Sequence, residues 1–320
     1  MDSHGFMLSI KKISLNDDIV WDDLQGDSQT ATFFQNRHWL VLWCKYFARE
    51  ADILGVYDQD KLVGIVPLLI KKQKARLLGL PPVLGEELLS DYGDIIAYKG
   101  KEKEVWHTVI HHLQVKGTKI ELNFIKEDSL SFGILESLGG KAEEVDVAPF
   151  LNLPASWDEY LFQLGRHDRH ELRRKIRRLE KAGAFKICHE GGVAEGDEFF
   201  RLMKISGEDK RSFLSPDMTR FFQDVISVFS PKKMLSLCFL KIKGENIAAV
   251  LSFVYRNDVL LYNSGFNPQF YKLAPGLILT AYLIKQSIEN GIKRFDFLRG
   301  GERYKYNLGG KDRKLYKIIF

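Results

Sequence analysis

Apolar and polar positions follow the same order of elements twice along the chain. In ADILGVYDQDKLVGIVPLLIKKQ (51–73), two apolar runs flank a polar turn at 58–61, a pattern that predicts a β-hairpin. MLSLCFLKIKGENIAAVLSFVYRND (234–258) repeats the pattern around a turn at Gly244–Glu245. Each hairpin precedes a strand, a helix closed by glycine and a closing strand, predicted over 91–97, 103–117 and 118–125, and over 259–266, 277–290 and 292–298. The chain is therefore predicted to be a tandem structural repeat.

The predicted helices differ in how they begin. An aromatic helix is predicted over 33–47, and two capping boxes open helices between the halves: SWDE (156–159), ending near Gly165, and DRHE (168–171), ending at Gly183. The helix over 277–290 begins instead at Ala274-Pro275, and alanine has no side-chain oxygen to satisfy the free N–H groups. An uncapped start with its partial positive charge favours an anionic ligand.

Composition narrows the class of protein. The chain has 320 residues, 45% hydrophobic and 28% charged, and a net charge of +5. No apolar run is long enough for membrane insertion, and the N-terminus lacks the pattern of a signal peptide, so we expect a cytoplasmic protein. Cys44, Cys188 and Cys238 are too far apart for a disulfide framework or a metal cluster. The mild positive charge permits an anionic ligand without requiring nucleic acid.

The stretch before the uncapped helix resembles the phosphate loop of GNAT acetyltransferases. In that family a strand leads into a glycine-containing loop, and a helix N-terminus then holds the pyrophosphate of coenzyme A. Here VLLYNSGF (259–266) is the strand, and Lys272, Leu273, Ala274, Pro275 and Gly276 stand at the loop, with proline replacing one glycine. The alternative is a proline-started helix whose free donors bind water.

The tail FDFLRGGERYKYNLGG (295–310) is similar to the closing motif of the CelD/BcsL-like acetyltransferases, a GNAT branch. The residues that carry the resemblance are Asp296, Phe297, Gly300, Glu302, Tyr304 and Lys305; Gly301 is an insertion relative to that motif. The resemblance implies an α/β (α+β) fold of tandem GNAT-like halves, each a mixed, mostly antiparallel sheet flanked by helices. We expect a degenerate N-terminal half over 1–150, and a helical connector with the acyl-CoA half over 151–320.

The resemblance also implies acetyl-CoA as co-substrate and no metal. The positions expected to hold it are Ser264, Gly265, Phe266, Lys272, Ala274, Gly276, Leu277, Ile278 and Lys305. On an extended chain, Tyr304 and Tyr306 would share one side, where either is a candidate acid for the departing thiolate and Glu302 is a candidate base. The alternative is that these aromatic residues only pack the end of the domain.

A basic segment, GRHDRHELRRKIRRLEKAG (165–183), carries a narrow apolar stripe of Leu172, Ile176 and Leu179. Its arginines form either an ordinary solvated face or a wall that binds an anion. The candidate substrate-binding residues are Arg173 and Arg177 on this helix, with Asp91, Tyr92 and Asp296 elsewhere. A similar basic helix occurs in the Fem peptidyltransferases, which use aminoacyl-tRNA.

The functional expectation is therefore acetyl transfer from acetyl-CoA to an amine or hydroxyl of a small molecule or a polysaccharide or cell-envelope precursor. Two alternatives remain open: a Fem-like aminoacyltransferase whose partner is tRNA, and a non-catalytic binding protein with the same fold. His107 and His111 share a helix face but have no acidic partner in a zinc-protease pattern, so no metal site is expected.

Overall fold

The computed structural model describes residues 8–15, 21–47, 51–80, 89–190 and 192–320. It divides into a first unit of Met1–Val147 with Arg313–Phe320, and a second unit of Ala148–Asp312. The sequence-based boundary at 150/151 assigns the last eight residues to the second half, whereas the structure places them in the first unit because they pair with its sheet.

The first unit alternates helices with strands. Its elements are β1 (Ser9–Ile13), α1 (Trp21–Asp27), a 3-10 helix (Phe33–Gln35), α2 (Arg37–Phe47), β2 (Asp52–Asp58), β3 (Lys61–Lys71), β4 (Lys74–Leu77), β5 (Ile96–Ala97), α3 (Glu102–Val115), β6 (Lys119–Lys126), α4 (Leu130–Ser137) and β7 (Lys141–Val147). Its core contains the fully buried side chains of Trp21, Trp39 and Trp106.

The second unit carries most of the helices of the connector. Its elements are β8 (Phe150–Asn152), α5 (Trp157–Gln163), α6 (Arg166–Ala182), β9 (Phe185–Glu190), α7 (Val193–Ser206), α8 (Glu208–Phe213), α9 (Pro216–Phe229), β10 (Leu235–Ile242), β11 (Glu245–Tyr255), β12 (Asp258–Phe266), a 3-10 helix (Pro268–Leu273), α10 (Pro275–Glu289), β13 (Arg294–Asp296) and α11 (Arg303–Asn307). Strand β14 (Lys314–Ile319) then returns to the first unit.

The two sheets confirm the tandem plan. The first has the order β1-β2-β3-β4-β6-β14-β7, with β5 beside β3, and the second has the order β8-β13-β12-β11-β10-β9. In both, two antiparallel pairings lead to a parallel one: β2-β3-β4 then β6, and β10-β11-β12 then β13. In both, an antiparallel strand completes the parallel edge: β14 beside β6, and β8 beside β13.

The β10–β11 hairpin shows how local sequence sets this order. Ile242 pairs with Glu245, so Lys243 and Gly244 form the two-residue turn, one position earlier than the sequence indicates. Both have positive φ angles, 51° and 85°, as the tight hairpin turns that match strand twist require. The apolar run that follows is buried continuously from Ile247 to Phe253.

Several predicted elements are shorter or begin elsewhere. The strand expected over 91–97 is only Ile96–Ala97, and the helix expected over 33–47 is a 3-10 turn followed by α2. Ser156 caps α5 as predicted, by accepting the Glu159 N–H at 3.2 Å. The second capping box is wrong: α6 begins at Arg166 with Gly165 as its N-cap, and Asp168 lies in its first turn.

Helix α7 packs against β12 through a glycine. A Cβ atom at Gly265 would lie 2.4 Å from the Met203 nitrogen and 2.5 Å from the Leu202 carbonyl carbon. These are backbone atoms, so they cannot move aside as a flexible side chain can. Gly265 therefore sets the close approach of α7 to the strand.

Replacing Gly265 with alanine should force α7 away from β12 and lower the free energy of unfolding by about 1–3 kcal/mol. Gly207→Ala is the control, because nothing lies within 4 Å of a Cβ there and its φ of 175° is ordinary extended backbone. Urea unfolding of both variants is the measurement. Equal stability of the Gly265 variant and the control would contradict the packing role.

Asp94 is a fully buried carboxylate in the first unit. It accepts hydrogen bonds from the Ser129 and Ser131 hydroxyls and, at 2.8 Å, from the Ile95 N–H. Burial raises its pKa from 3.8 to about 6, although those hydrogen bonds and the charge of Lys126 act in the opposite direction.

Because the folded-state pKa of Asp94 exceeds the unfolded value, the folded chain binds this proton more tightly. The resulting stabilisation is complete below pH 3.8 and is lost as the pH rises through about 6. The loss should amount to about 3 kcal/mol. Asp94→Asn removes the titration, so the stability difference between wild type and variant, measured by urea unfolding, should change between pH 4 and pH 7.5. A constant difference would contradict this pKa.

Candidate functional site

Strands β12 and β13 part after a short contact. They pair in parallel only at Asp258↔Arg294, Val259↔Phe295 and Leu260↔Asp296. On the other side, β12 continues along β11 as far as Phe266, with a bulge at Tyr262, since Leu251 pairs with Asn263 and Ser252 with Leu261. A bulge bends and twists its strand. From residue 263 to 266, β12 therefore has one open edge among the described residues.

Asp296 ends β13. Its Oδ1 accepts the Leu298 N–H at 2.8 Å, and Leu298 adopts a left-handed φ of 60°, so the chain turns away from β12. Asp296 is 1% exposed. The expected role in substrate binding does not fit this burial, and we correct it to a structural one.

The start of α10 presents free backbone donors beside the open edge. Ala274 has a left-handed conformation (φ 51°, ψ 50°), and Pro275 supplies no N–H. The Ile278 N–H donates to the Ala274 carbonyl at 3.1 Å, so the expectation that Ile278 offers a free donor is wrong. The N–H groups of Gly276 and Leu277 have no acceptor among the described residues.

A cleft of about 330 Å³ lies between this helix start and the open edge. We call it the β12–α10 cleft. It is lined by Ser264 and Phe266 of β12, by Ala274, Pro275, Gly276, Leu277 and Thr280 at the start of α10, and by Lys210, Tyr271 and Tyr304. Six of these ten residues are site candidates from the sequence, and the other four, Lys210, Tyr271, Pro275 and Thr280, are not.

The two glycines near the cleft have different roles. Gly276 leaves open space, because a Cβ there would have only Phe266 Cδ1 within reach, at 4.0 Å. A ligand can therefore approach its N–H closely. A Cβ at Gly265 would run into α7, so the glycine serves the packing of that helix, and contact of its backbone with a cofactor stays a prediction.

The backbone groups of Ser264 at the open edge are held by side chains. Its N–H donates to Asn263 Oδ1 at 2.9 Å, and its carbonyl accepts a hydrogen bond from Lys210 Nζ. Side-chain partners are displaceable without disturbing the sheet, so the edge can accept an amide-bearing ligand in their place.

The tail around Tyr304 is helical instead of extended, because α11 spans Arg303–Asn307. Residues two apart on a helix do not share a face, so the expectation that Tyr304 and Tyr306 act from one side is wrong. Tyr304 lines the cleft, where burial and the nearby Glu302 charge raise its pKa. Tyr306 is 36% exposed and donates to Asp312 at 2.6 Å.

Glu302 and Lys305 stabilise the turn before α11. Lys305 is 2% exposed, and its Nζ donates to the carbonyls of Leu298, Arg299 and Gly300 at 3.1, 2.7 and 2.9 Å. Glu302 Oε2 lies 2.8 Å from the same Nζ. Lys305 therefore has a structural role, and its expected contact with a cofactor is corrected.

Lysine 272 is exposed beside the start of α10, and its carbonyl accepts a hydrogen bond from Arg178 at 2.8 Å. Arg178 belongs to α6, whose apolar stripe is buried as predicted at Leu172 and Leu179. Arg174 is also engaged, with Glu171 at 2.7 and 2.9 Å.

Arg173 and Arg177 are exposed, and neither has an ion pair or side-chain hydrogen bond among the described residues. They lie on the solvent side of α6. Both side chains are therefore available to an external anion.

The corresponding helix start in the first unit carries an acidic residue. Glu102, at the beginning of α3, accepts the Gly100 N–H at 2.8 Å and is 5% exposed. A buried carboxylate at this helix start disfavours a second anion there. Tyr92 is also unavailable to substrate, since it is 3% exposed and packs at 5.3 Å against Phe34; this corrects its expected substrate role. Asp91 is half-buried.

Across the part of the chain that the structure describes, no three His, Cys, Asp or Glu side chains lie close enough to hold an ion together. Among those same residues, no helix has the length and apolar character needed to cross a bilayer.

Comparison with known proteins agrees with this geometry. Residues 166–306, which include most of the cleft lining, match the family model described as an acetyltransferase (GNAT) domain. A search of curated protein sequences found no match.

Solved structures share the fold over the whole chain. FemX aligns with a TM-score of 0.67 at 13% identity, covering 97% of this chain and 96% of that one. L-PGS from Bacillus licheniformis gives 0.61 at 13% identity, covering 94% and 91%. A tandem GNAT protein from the clavulanic acid biosynthesis pathway gives 0.50 at 12% identity, covering 97% and 98%. The chain thus has a tandem GNAT-like fold, and its residues 166–306 match the model of an acetyltransferase (GNAT) domain.

Proposed function

We propose that this protein transfers an acetyl group from acetyl-CoA, bound in the β12–α10 cleft, to an amine or hydroxyl of a small molecule or a polysaccharide or cell-envelope precursor. The observation that carries the proposal is the pair of N–H groups of Gly276 and Leu277, which have no acceptor in the described part of the chain and open onto a cleft beside the free edge of β12. A helix N-terminus of this kind suits a pyrophosphate.

The cleft matches the chemistry of the donor in two further ways. The amide-bearing arm of coenzyme A can pair with the open edge of β12 at Ser264 once side-chain partners move aside. The match of residues 166–306 to an acetyltransferase domain supports the same donor. The start of α3, the corresponding helix of the first unit, suits an anionic donor less well, since the buried Glu102 carboxylate lies there.

Acyl transfer needs a proton for the departing thiolate. Tyr304 lies in the cleft, and its raised pKa keeps the hydroxyl protonated at neutral pH. We assign it as the acid. The acceptor nitrogen or oxygen attacks the thioester carbonyl, the carbon–sulfur bond breaks, and the sulfur takes the tyrosine proton. Glu302 is the candidate that removes the acceptor's proton, and its charge already acts on Tyr304.

An aminoacyl donor carried by tRNA is the second candidate. Two observations favour it: the fold similarity to FemX, and the exposed Arg173 and Arg177 on α6. Both donors carry an adenosine and phosphates, so either offers an anion to the start of α10. Measuring the affinity of the protein for acetyl-CoA and, separately, for tRNA discriminates between them.

Replacing Gly276 with alanine should weaken acetyl-CoA binding by about tenfold or more, equivalent to about 1.4 kcal/mol, because the new methyl group occupies the approach to the N–H groups. Stability should stay level or rise by up to about 1 kcal/mol, since alanine favours the helix. Isothermal titration with acetyl-CoA and urea unfolding measure the two effects.

The matched control is Gly133→Ala, a helical glycine of α4 with nothing within 4 Å of the added Cβ. It should gain similar stability and keep wild-type acetyl-CoA affinity. If wild type binds no acetyl-CoA, or if Gly276→Ala binds as tightly as Gly133→Ala, the proposed donor site is wrong.

Replacing Arg173 and Arg177 together with glutamine should leave stability unchanged, because both side chains are exposed and lack protein partners among the described residues. If tRNA is the donor, its affinity should fall and the slope of log K against log salt should decrease by about two. Filter binding of bulk tRNA at several salt concentrations measures this, with Arg220→Gln on α9 as the control. Tight, salt-sensitive tRNA binding without acetyl-CoA binding would favour the second candidate.

A further inference from the structure

The side chain of Lys210 reaches into the β12–α10 cleft from α8. Its Nζ donates to the carbonyl of Ser264 and lies 3.5 Å from the Ser264 hydroxyl. The amine therefore stands at the open edge of β12, in the same cleft as the α10 start and Tyr304. No sequence motif marks it, because EDKRSF (208–213) resembles an ordinary charged surface turn.

The surroundings of Lys210 favour an uncharged amine more than those of a surface lysine do. Burial lowers its pKa, while the charge of Glu302 opposes that shift. Among the described residues no carboxylate forms an ion pair with Nζ, and its hydrogen bonds go to the neutral groups of Ser264. A neutral amine is the nucleophilic form of lysine.

We propose that Lys210 is itself an acyl acceptor, and that a thioester donor held in the β12–α10 cleft modifies it to an Nε-acyl-lysine. This proposal rests on the proposed function, since it requires acetyl-CoA in that cleft. It adds a covalent modification site that competes with the external acceptor.

The reaction balances without another reagent. The lone pair of Nζ attacks the thioester carbonyl carbon, a carbon–nitrogen bond forms, and the carbon–sulfur bond breaks. The amine loses one proton, and the departing thiolate gains one through Tyr304 or solvent. The products are N-acetyl-lysine and free coenzyme A thiol. Proximity within one cleft makes this step effectively unimolecular.

Acetylation has a consequence for the cleft. The amide product keeps one N–H for the Ser264 carbonyl but adds an acetyl group at the edge where the donor's arm would pair. It also removes a positive charge near the phosphates. Acylated protein should therefore bind acetyl-CoA more weakly, so that excess donor without acceptor reduces further binding.

The test is to incubate the full chain with acetyl-CoA and to measure the initial rate of acetylation at each lysine by peptide mass spectrometry. Lys272 is the internal control, because it is exposed near the start of α10 and does not line the cleft. Lys210 should be acetylated at least about tenfold faster than Lys272, and its rate should saturate with donor concentration.

Three further arms test whether the cleft delivers the acyl group. Gly276→Ala should reduce the acetylation rate of Lys210 to that of Lys272. Excess coenzyme A should protect Lys210 in the wild-type protein, and this arm does not depend on the folding of a variant. Acetyl phosphate, an acyl donor without the nucleotide, should not prefer Lys210. Lys210→Arg should lose the modification at this site, while the acetylation rate of Lys272 stays unchanged.

The outcomes separate the two proposals. Calorimetric binding of acetyl-CoA with no preference for Lys210 over Lys272 overturns the modification and leaves the donor site standing. Absence of both binding and preference overturns both. A preference for Lys210 that persists with acetyl phosphate, or despite excess coenzyme A, overturns delivery by the cleft.

Discussion

Strand β12 keeps its neighbour β13 for only three residue pairs, and this early separation determines how the second unit can bind a ligand. The bulge at Tyr262 bends β12, while the Asp296 carboxylate turns the chain at the end of β13. Strand β13 therefore does not pair with β12 from residue 263 to 266, and this edge of β12 has no neighbouring strand among the described residues. The start of α10 lies beside this edge with two backbone donors free, so polar groups of both elements open onto one cleft.

The two units show how one fold gains or loses such a site. In both units a helix lies in the chain between two strands that pair in parallel: α3 between β4 and β6, and α10 between β12 and β13. In α10 the first turn has no acidic residue, and Ala274 and Pro275 leave the N–H groups of Gly276 and Leu277 open. In α3 the first turn carries Glu102 and Glu104, and the buried Glu102 bonds to the Gly100 N–H, so negative charge at this helix start disfavours an anion. Acidic residues in the first turn thus distinguish the two helix starts.

Patterns of burial and capping were readable from sequence, and tertiary contacts were not. The hairpins and the uncapped start at Ala274 were predicted because alternation, turn residues and cap residues are local signals. Ile278 was misjudged although its position predicts the bond: it lies four residues after the N-cap Ala274, whose carbonyl accepts the first intrahelical hydrogen bond. Gly265 contacts α7, and Lys210 enters the cleft from α8, through contacts between residues far apart in sequence. Tyr304 falls on a five-residue helix too short for a periodic signal.

The central claim is that the N–H groups of Gly276 and Leu277 hold the phosphates of a coenzyme A donor. The most direct measurement is NMR of the full chain with ¹⁵N-labelled glycine and leucine, titrated with coenzyme A. The account predicts that the amide resonances of Gly276 and Leu277 shift and saturate together, while that of Gly100, whose N–H is bonded to Glu102, stays fixed. Unchanged resonances of Gly276 and Leu277 at saturating coenzyme A would contradict it.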